Sequence, residues 1–188
     1  MNYINKLLFT NDYGFFDKIS KEQIRKLTMI NIEHFNWYTT DDFTKAKNHC
    51  AAVTSTNLDL YFTKLNYFSK EDVFNEHHSK IKNGPVLSFK NKTKKILSSK
   101  GKEIKSKTFN FNKIKHIKES VNKNNISAIL LYSSLFSWHW ILCVGYIELY
   151  NNTDVLIIID NWYNKIRYYI PNKKSKIVSV IKFYEDKN

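Results

Sequence analysis

Three residues of this chain, taken together, have the types and order needed for nucleophilic catalysis: Cys50, His139 and Asp160. A thiol attacks a carbonyl carbon as it loses its proton, so it needs a base within reach. An imidazole suits that task, and a carboxylate beside the ring fixes its tautomer and orientation. Cys50 lies in Asn48-His49-Cys50-Ala51-Ala52, at the head of a stretch to Leu65 that turns steadily apolar. In the first turn of a helix a thiol meets free amide N–H groups and the positive end of the helix dipole, and both favour the thiolate. His139 leads the apolar run Trp138 to Tyr146, and Asp160 ends the run Val155 to Ile159 ahead of Asn161-Trp162. Each residue alone has an ordinary reading: a small buried cysteine, a satisfied core histidine, a turn carboxylate. The combination is what reads as thiol chemistry.

The elements that must hold these residues follow from periodicity. Ala51, Val53, Leu58, Tyr61, Phe62 and Leu65 suit a helix buried on more than one face. Ser20-Lys21-Glu22-Gln23 has the form of a capping box and predicts a short helix from Lys21 to about Asn31. Ser69-Lys70-Glu71-Asp72 predicts another, ending near Asn83-Gly84-Pro85, and Ile114, Ile117 and Val121 predict a further one ending near Asn124-Asn125. Ile32 to Lys47 has loop composition directly ahead of the Cys50 helix. Its aromatic part, His34 to Tyr38, is the expected holder of substrate.

From Ile126 the grammar changes to strands: Ala128–Tyr132, Trp138–Tyr146, Val155–Ile159, Ile166–Ile170 and Val178–Phe183. Alternation puts His139, Ile141, Cys143 and Gly145 on one face of the second strand. Helices first and a mainly antiparallel sheet second make an α+β fold, a single domain over 1–188. Residues 1–125 form a mainly helical lobe and 126–188 an antiparallel sheet lobe.

Composition narrows the function classes. With 188 residues, 43% of them apolar, the chain can bury a sizeable core. Two distant cysteines make no disulfide framework, and no Cys-x-x-Cys offers zinc a site. The neighbours His77 and His78 point in different directions on a helix and do not share a metal. No run approaches the ~18 apolar residues of a membrane span, and no signal peptide opens the sequence. A cytoplasmic protein is expected, with secretion not excluded. The net charge of +13 is almost all lysine, since Arg25 and Arg167 are the only arginines. Sequence-reading nucleic-acid binders lean on arginine forks, so no specific nucleic acid is expected. Lys90 to Lys107 carries eight lysines against Glu103, with no other local partner in sequence. It reads as a solvated segment dispensable for chemistry, its remaining role being attraction to an acidic partner.

His139 followed by Ile141-Leu142-Cys143-Val144-Gly145-Tyr146 resembles the histidine strand of papain-like cysteine peptidases. Asp160-Asn161-Trp162 resembles their Asn-Ser-Trp, with Asp in place of Asn as in the bacterial bacteriocin-leader-processing peptidases. Asn48-His49-Cys50-Ala51-Ala52 looks like the nucleophile segment of those bacterial members. The resemblance covers roughly Thr44 to Tyr169. It implies a two-lobed papain-like fold with the site in the cleft between lobes, and a peptide or protein as substrate. Cys50 would then be the nucleophile, His139 the base and Asp160 the orienter, acting through its carboxylate and removable without loss of the fold. Trp162 would shield the His139–Asp160 contact, and no metal or organic cofactor is implied. One departure stands out. The family's oxyanion-holding glutamine before the cysteine is missing, because the only glutamine is Gln23, far upstream. Thr44 and Asn48 are the candidates to replace it. A cysteine-dependent acyltransferase or transglutaminase-like enzyme has the same order of residues, and a papain-like binding module would explain the missing glutamine.

Overall fold

Apolar runs broken by turn residues can satisfy their backbone groups only by pairing with one another. The computed structural model, which describes residues 13–64, 69–134, 137–171 and 174–185, has them paired in one antiparallel sheet. In chain order the elements are β1 (Phe15–Phe16), β2 (Ile24–Met29), α1 (Cys50–Thr63), α2 (Lys70–Ile81), α3 (Phe89–Ser99), β3 (Ile104–Phe109) and α4 (Lys113–Asn122). Then come β4 (Ser127–Ser134), β5 (Ser137–Leu149), β6 (Asp154–Ile159), β7 (Arg167–Tyr169) and β8 (Lys176–Glu185). The chain is α+β. The sheet runs β1-β7-β6-β5-β4-β8-β3, with β2 added to β5. All five strands expected from Ile126 onward are present, as are the helices at Cys50, Lys70 and Lys113. Leu65, expected at the end of the Cys50 helix, lies outside the described residues.

The expected helix from Lys21 to Asn31 is not formed. Lys21–Gln23 is a single 3-10 turn, and Ser20 makes no capping bond to the backbone. Ile24–Met29 is instead a strand. β4 pairs with Ser137 to Cys143 of β5, leaving the same edge open further along, and β2 fills it from Gly145 to Leu149. Leu27 is 54% exposed and Met29 44%, so their spacing never described a buried stripe. The pairing is close: a Cβ on Gly145 would meet the Thr28 carbonyl oxygen at 2.7 Å. β3 was likewise hidden, by the lysines that alternate along it. Residues 1–125 thus give three strands to the sheet beside their helices.

The sheet separates α4 from the other helices. Phe183 of β8 and Trp140 of β5 both pack on Phe89 of α3, whereas Phe109, paired with Val180, stacks on His116 of α4. Between the sheet and α2 and α3 runs α1, with every residue from Ala51 to Leu60 buried. A helix buried all round must pair its polar side chains internally. Thr54 and Thr56 donate to the carbonyls of Cys50 and Ala52, four residues back. Asp59 accepts from His77 Nε2 of α2 at 3.0 Å and from Lys100, which follows α3 and also reaches Glu76 at 3.0 Å. Ser55 bridges His77 Nδ1 (2.8 Å) and Thr93 of α3 (2.9 Å). Lys100 is therefore not a solvated charge, and Lys102 also pairs, with Glu185 at 3.2 Å. The lysine-rich segment is partly structural.

Candidate active site

The start of α1 is set by its neighbours rather than by a side-chain cap. Asn48 takes the left-handed conformation (φ 52°), and its carbonyl accepts from Gly84 N at 3.0 Å. His49 is buried, with Nε2 donating to the Thr40 carbonyl at 3.2 Å, and no side chain caps the first turn. The His49 side chain therefore does not occupy the opening N–H groups of α1.

Cys50 and His139 line one cleft of about 660 Å³, together with Thr44, Asn48, Trp138 and Trp162. Five of the six sequence-predicted residues, all but Asp160, thus share one surface, with Thr44 and Asn48 among its lining. Gln23 is not among the lining residues. The aromatic loop segment does not line it either. Phe35 is buried, Trp37 donates to the Tyr163 carbonyl, and the main chain of Tyr38 is bonded to Asn57. The loop's contribution to the cleft comes from Thr40 to Lys47.

His139 is held on three sides. Trp162 stacks on its ring, with centroids 3.9 Å apart and planes 14° from parallel. Tyr13 packs against it at 5.4 Å and Phe15 at 6.2 Å. Its Nε2 donates to the main-chain carbonyl of Asp160 at 2.6 Å, so Nδ1 is the nitrogen left for a proton from the cleft. The expected orienting carboxylate is used elsewhere. Asp160 Oδ1 accepts from the N–H groups of Trp162 and Tyr163 at 3.0 and 3.1 Å, and Oδ2 accepts from Arg167 at 2.8 Å. Asp160 orients the imidazole through its backbone, and its buried side chain closes a turn. Asp160→Ala is therefore expected to cost stability as well as turnover, which a melting curve would check.

Two asparagines missed in the sequence complete the scaffold. Asn161, left-handed at φ 63°, donates to Thr54 Oγ1 (2.8 Å) and to the Trp140 carbonyl (2.9 Å), and accepts from Asn57 of α1 at 2.9 Å. Its own carbonyl accepts from Thr40 N at 2.7 Å. This buried network ties α1 to β5 and to the cleft loop. In the sequence, asparagine beside a strand end signals only a turn.

Desolvation decides the resting charge state. Burial lowers His139 to about 4, with the bond to Asp160 only partly opposing it. Burial also pushes the Cys50 thiol up, against main-chain hydrogen bonds at Trp140, Ala51 and Cys50 itself. The helix end therefore does not deliver a preformed thiolate, and the resting pair is thiol and neutral imidazole. Cys143 is fully buried, donates to the Gly145 carbonyl at 3.2 Å and is pushed up to about 12. Iodoacetamide at mildly alkaline pH should label Cys50 well ahead of Cys143. Peptide mapping that finds Cys143 labelled first would reverse the assignment.

No family model matches this chain, and no curated protein matches it.

With these residues the cleft has a thiol, an imidazole pinned at Nε2, and the N-terminal end of α1, whose N-cap side chain makes no capping bond. That set can attack an acyl carbon and hold the oxyanion that forms. Among the described residues no cluster of His, Cys, Asp and Glu could hold a metal ion, and no helix is long and apolar enough to cross a membrane.

Proposed function

We propose that this protein is a cysteine-dependent acyl hydrolase of the papain-like type, a peptidase of narrow specificity. The observation that carries the reading is Cys50 opening a helix on the same cleft as a His139 pinned at Nε2 by the Asp160 carbonyl and roofed by Trp162. As the sulfur attacks the peptide carbonyl carbon, His139 Nδ1 takes the thiol proton, and the oxyanion meets the first N–H groups of α1. The imidazolium then gives that proton to the leaving amine, and a thioester is left on Cys50. Water attacks the thioester with His139 again as base, which releases the acid and restores the thiol. A neutral resting imidazole is the correct form for this cycle.

Narrow specificity follows from what is missing. Gln23 does not line the cleft, and Thr44 and Asn48 are its only polar replacements from the sequence reading. Loss of one oxyanion donor costs ~10²–10³ in rate, which binding energy from a well-fitted substrate can offset. The test is incubation with an unfolded casein-like protein and with a diverse peptide library, with Cys50→Ala alongside. Slow, selective cleavage that disappears in Cys50→Ala is expected. Rapid unselective cleavage would refute the narrow range. Absence of any Cys50-dependent acyl product, amine-transfer products included, would reject the enzyme in favour of a binding module.

A further inference from the structure

Arg167 is the largest fully buried side chain among the described residues, at 1% exposure. It lies on β7, two strands from His139, and is not itself among the residues lining the cleft. Its Nη1 donates to Asp160 Oδ2 and its Nε to Asp17 Oδ1, both at 2.8 Å. The guanidinium lies over the rings of Phe15 (5.7 Å) and Tyr163 (5.0 Å). Asp17 also takes Lys165 at 2.8 Å, so the two carboxylates and two cations balance. Both oxygens of Asp160 are thereby engaged, one by Arg167 and one by the N–H groups of Trp162 and Tyr163.

That arrangement fixes the two things that hold His139. The Asp160 peptide supplies the carbonyl on Nε2, and the turn closed by the Asp160 side chain sets Trp162 on the ring. We propose that Arg167 is a positioning residue for His139, clamping Asp160 so that its carbonyl selects the Nε2–H tautomer and leaves Nδ1 as the base. The proposal rests on the reading of His139 as the base for Cys50. A buried ion pair adds little net stability over a well-packed apolar pair, whereas a planar, two-ended guanidinium fixes direction in a way a lysine ammonium does not. The hydrogen bond it aims also raises the basicity of His139 against the burial that lowers it.

The test needs no substrate. The rate of Cys50 alkylation by iodoacetamide is measured across pH for the unaltered protein, His139→Gln, Arg167→Lys and Asp17→Asn, with circular dichroism melting as the fold control. His139→Gln should slow alkylation at neutral pH. Arg167→Lys should bring the rate down towards that of His139→Gln, by about tenfold or more, while remaining folded. Asp17→Asn, at an exposed position that releases one end of the clamp, should give a smaller loss of the same sign. Nitrogen NMR of the His139 ring should report a mixture of tautomers in Arg167→Lys where the unaltered protein has one. A folded Arg167→Lys with the original rate and a single tautomer overturns the clamp. If Arg167→Lys does not fold, an Asp17→Asn protein with the original rate and tautomer overturns it. An alkylation rate unchanged by His139→Gln overturns the base assignment itself and the clamp with it.

Discussion

His139→Gln is expected to lower Cys50-dependent turnover by about 10⁴-fold or more and, in the same protein, to improve stability in acid. The first effect is the loss of the group that takes the thiol proton in the proposed cycle. The second follows from burial. His139 titrates at about 4 in the folded protein against an ordinary 6.5, so between those values the unfolded chain binds a proton that the native one refuses. Stability therefore falls as pH drops through that window and levels off once both states are protonated. The full contribution is about 3 kcal/mol. Glutamine has no such titration and can still donate to the Asp160 carbonyl. Urea-unfolding midpoints at a series of pH values, compared between the two proteins, isolate His139 because the other titrating groups are common to both. Parallel curves would mean that the imidazole is not desolvated. Undiminished turnover would mean that it is not the base.

Asp59→Ala should destabilise the protein by about 3–5 kcal/mol without touching the cleft chemistry directly. Asp59 has no exposed surface. Burial pushes its carboxyl up, but the hydrogen bonds from His77 and Lys100 prevail and hold it below the usual range. Burial keeps His77 towards the neutral form. With Nε2–H donating to Asp59, its Nδ1 then accepts from Ser55, and Ser55 in turn accepts from Thr93. Removing the carboxylate takes from Lys100 one of its two acids, with Glu76 remaining, and takes from the buried His77 Nε2–H its acceptor. Lys100→Met and the double variant complete a cycle. Strong non-additivity is expected, since the two groups share one network. A loss under about 1 kcal/mol for Asp59→Ala would show that the helices hold together by apolar packing alone.

Much of this molecule is legible from residue types. The run from Ala51 to Phe62 announces a helix buried all round, and the apolar runs after Ile126 announce strands, because burial there demands a continuous apolar sequence. What could not be read depends on partners distant in the chain. Ile24–Met29 is a strand because β5 leaves an edge open at Gly145 to Leu149, not because of its own pattern. Ile104–Phe109 has one buried residue and owes its pairing to β8. Lys100 resembles its exposed neighbours in sequence and differs only in having Asp59 and Glu76 beside it. Residue type singled out Cys50, His139 and Trp162, which line one cleft. It named Asp160 for the wrong group, since a carboxylate is written in the sequence and the direction of a carbonyl is not.

Among the described residues the main path of the sheet ends in two strands of unlike character, β1 with two residues and β3 with six, and β2 is a side branch on β5. An outer strand leaves N–H and C=O groups unpaired, which invites a second molecule to continue the sheet. β1 is too short to serve as a template. Along β3, Lys105 and Lys107 are exposed, and Lys107 is paired in register with Lys182 of β8. A second copy docking there would bring its own lysines against these, on a chain already carrying +13. Like charges facing one another across strands oppose such pairing, so the lysine surplus at this edge works against extension of the sheet along β3.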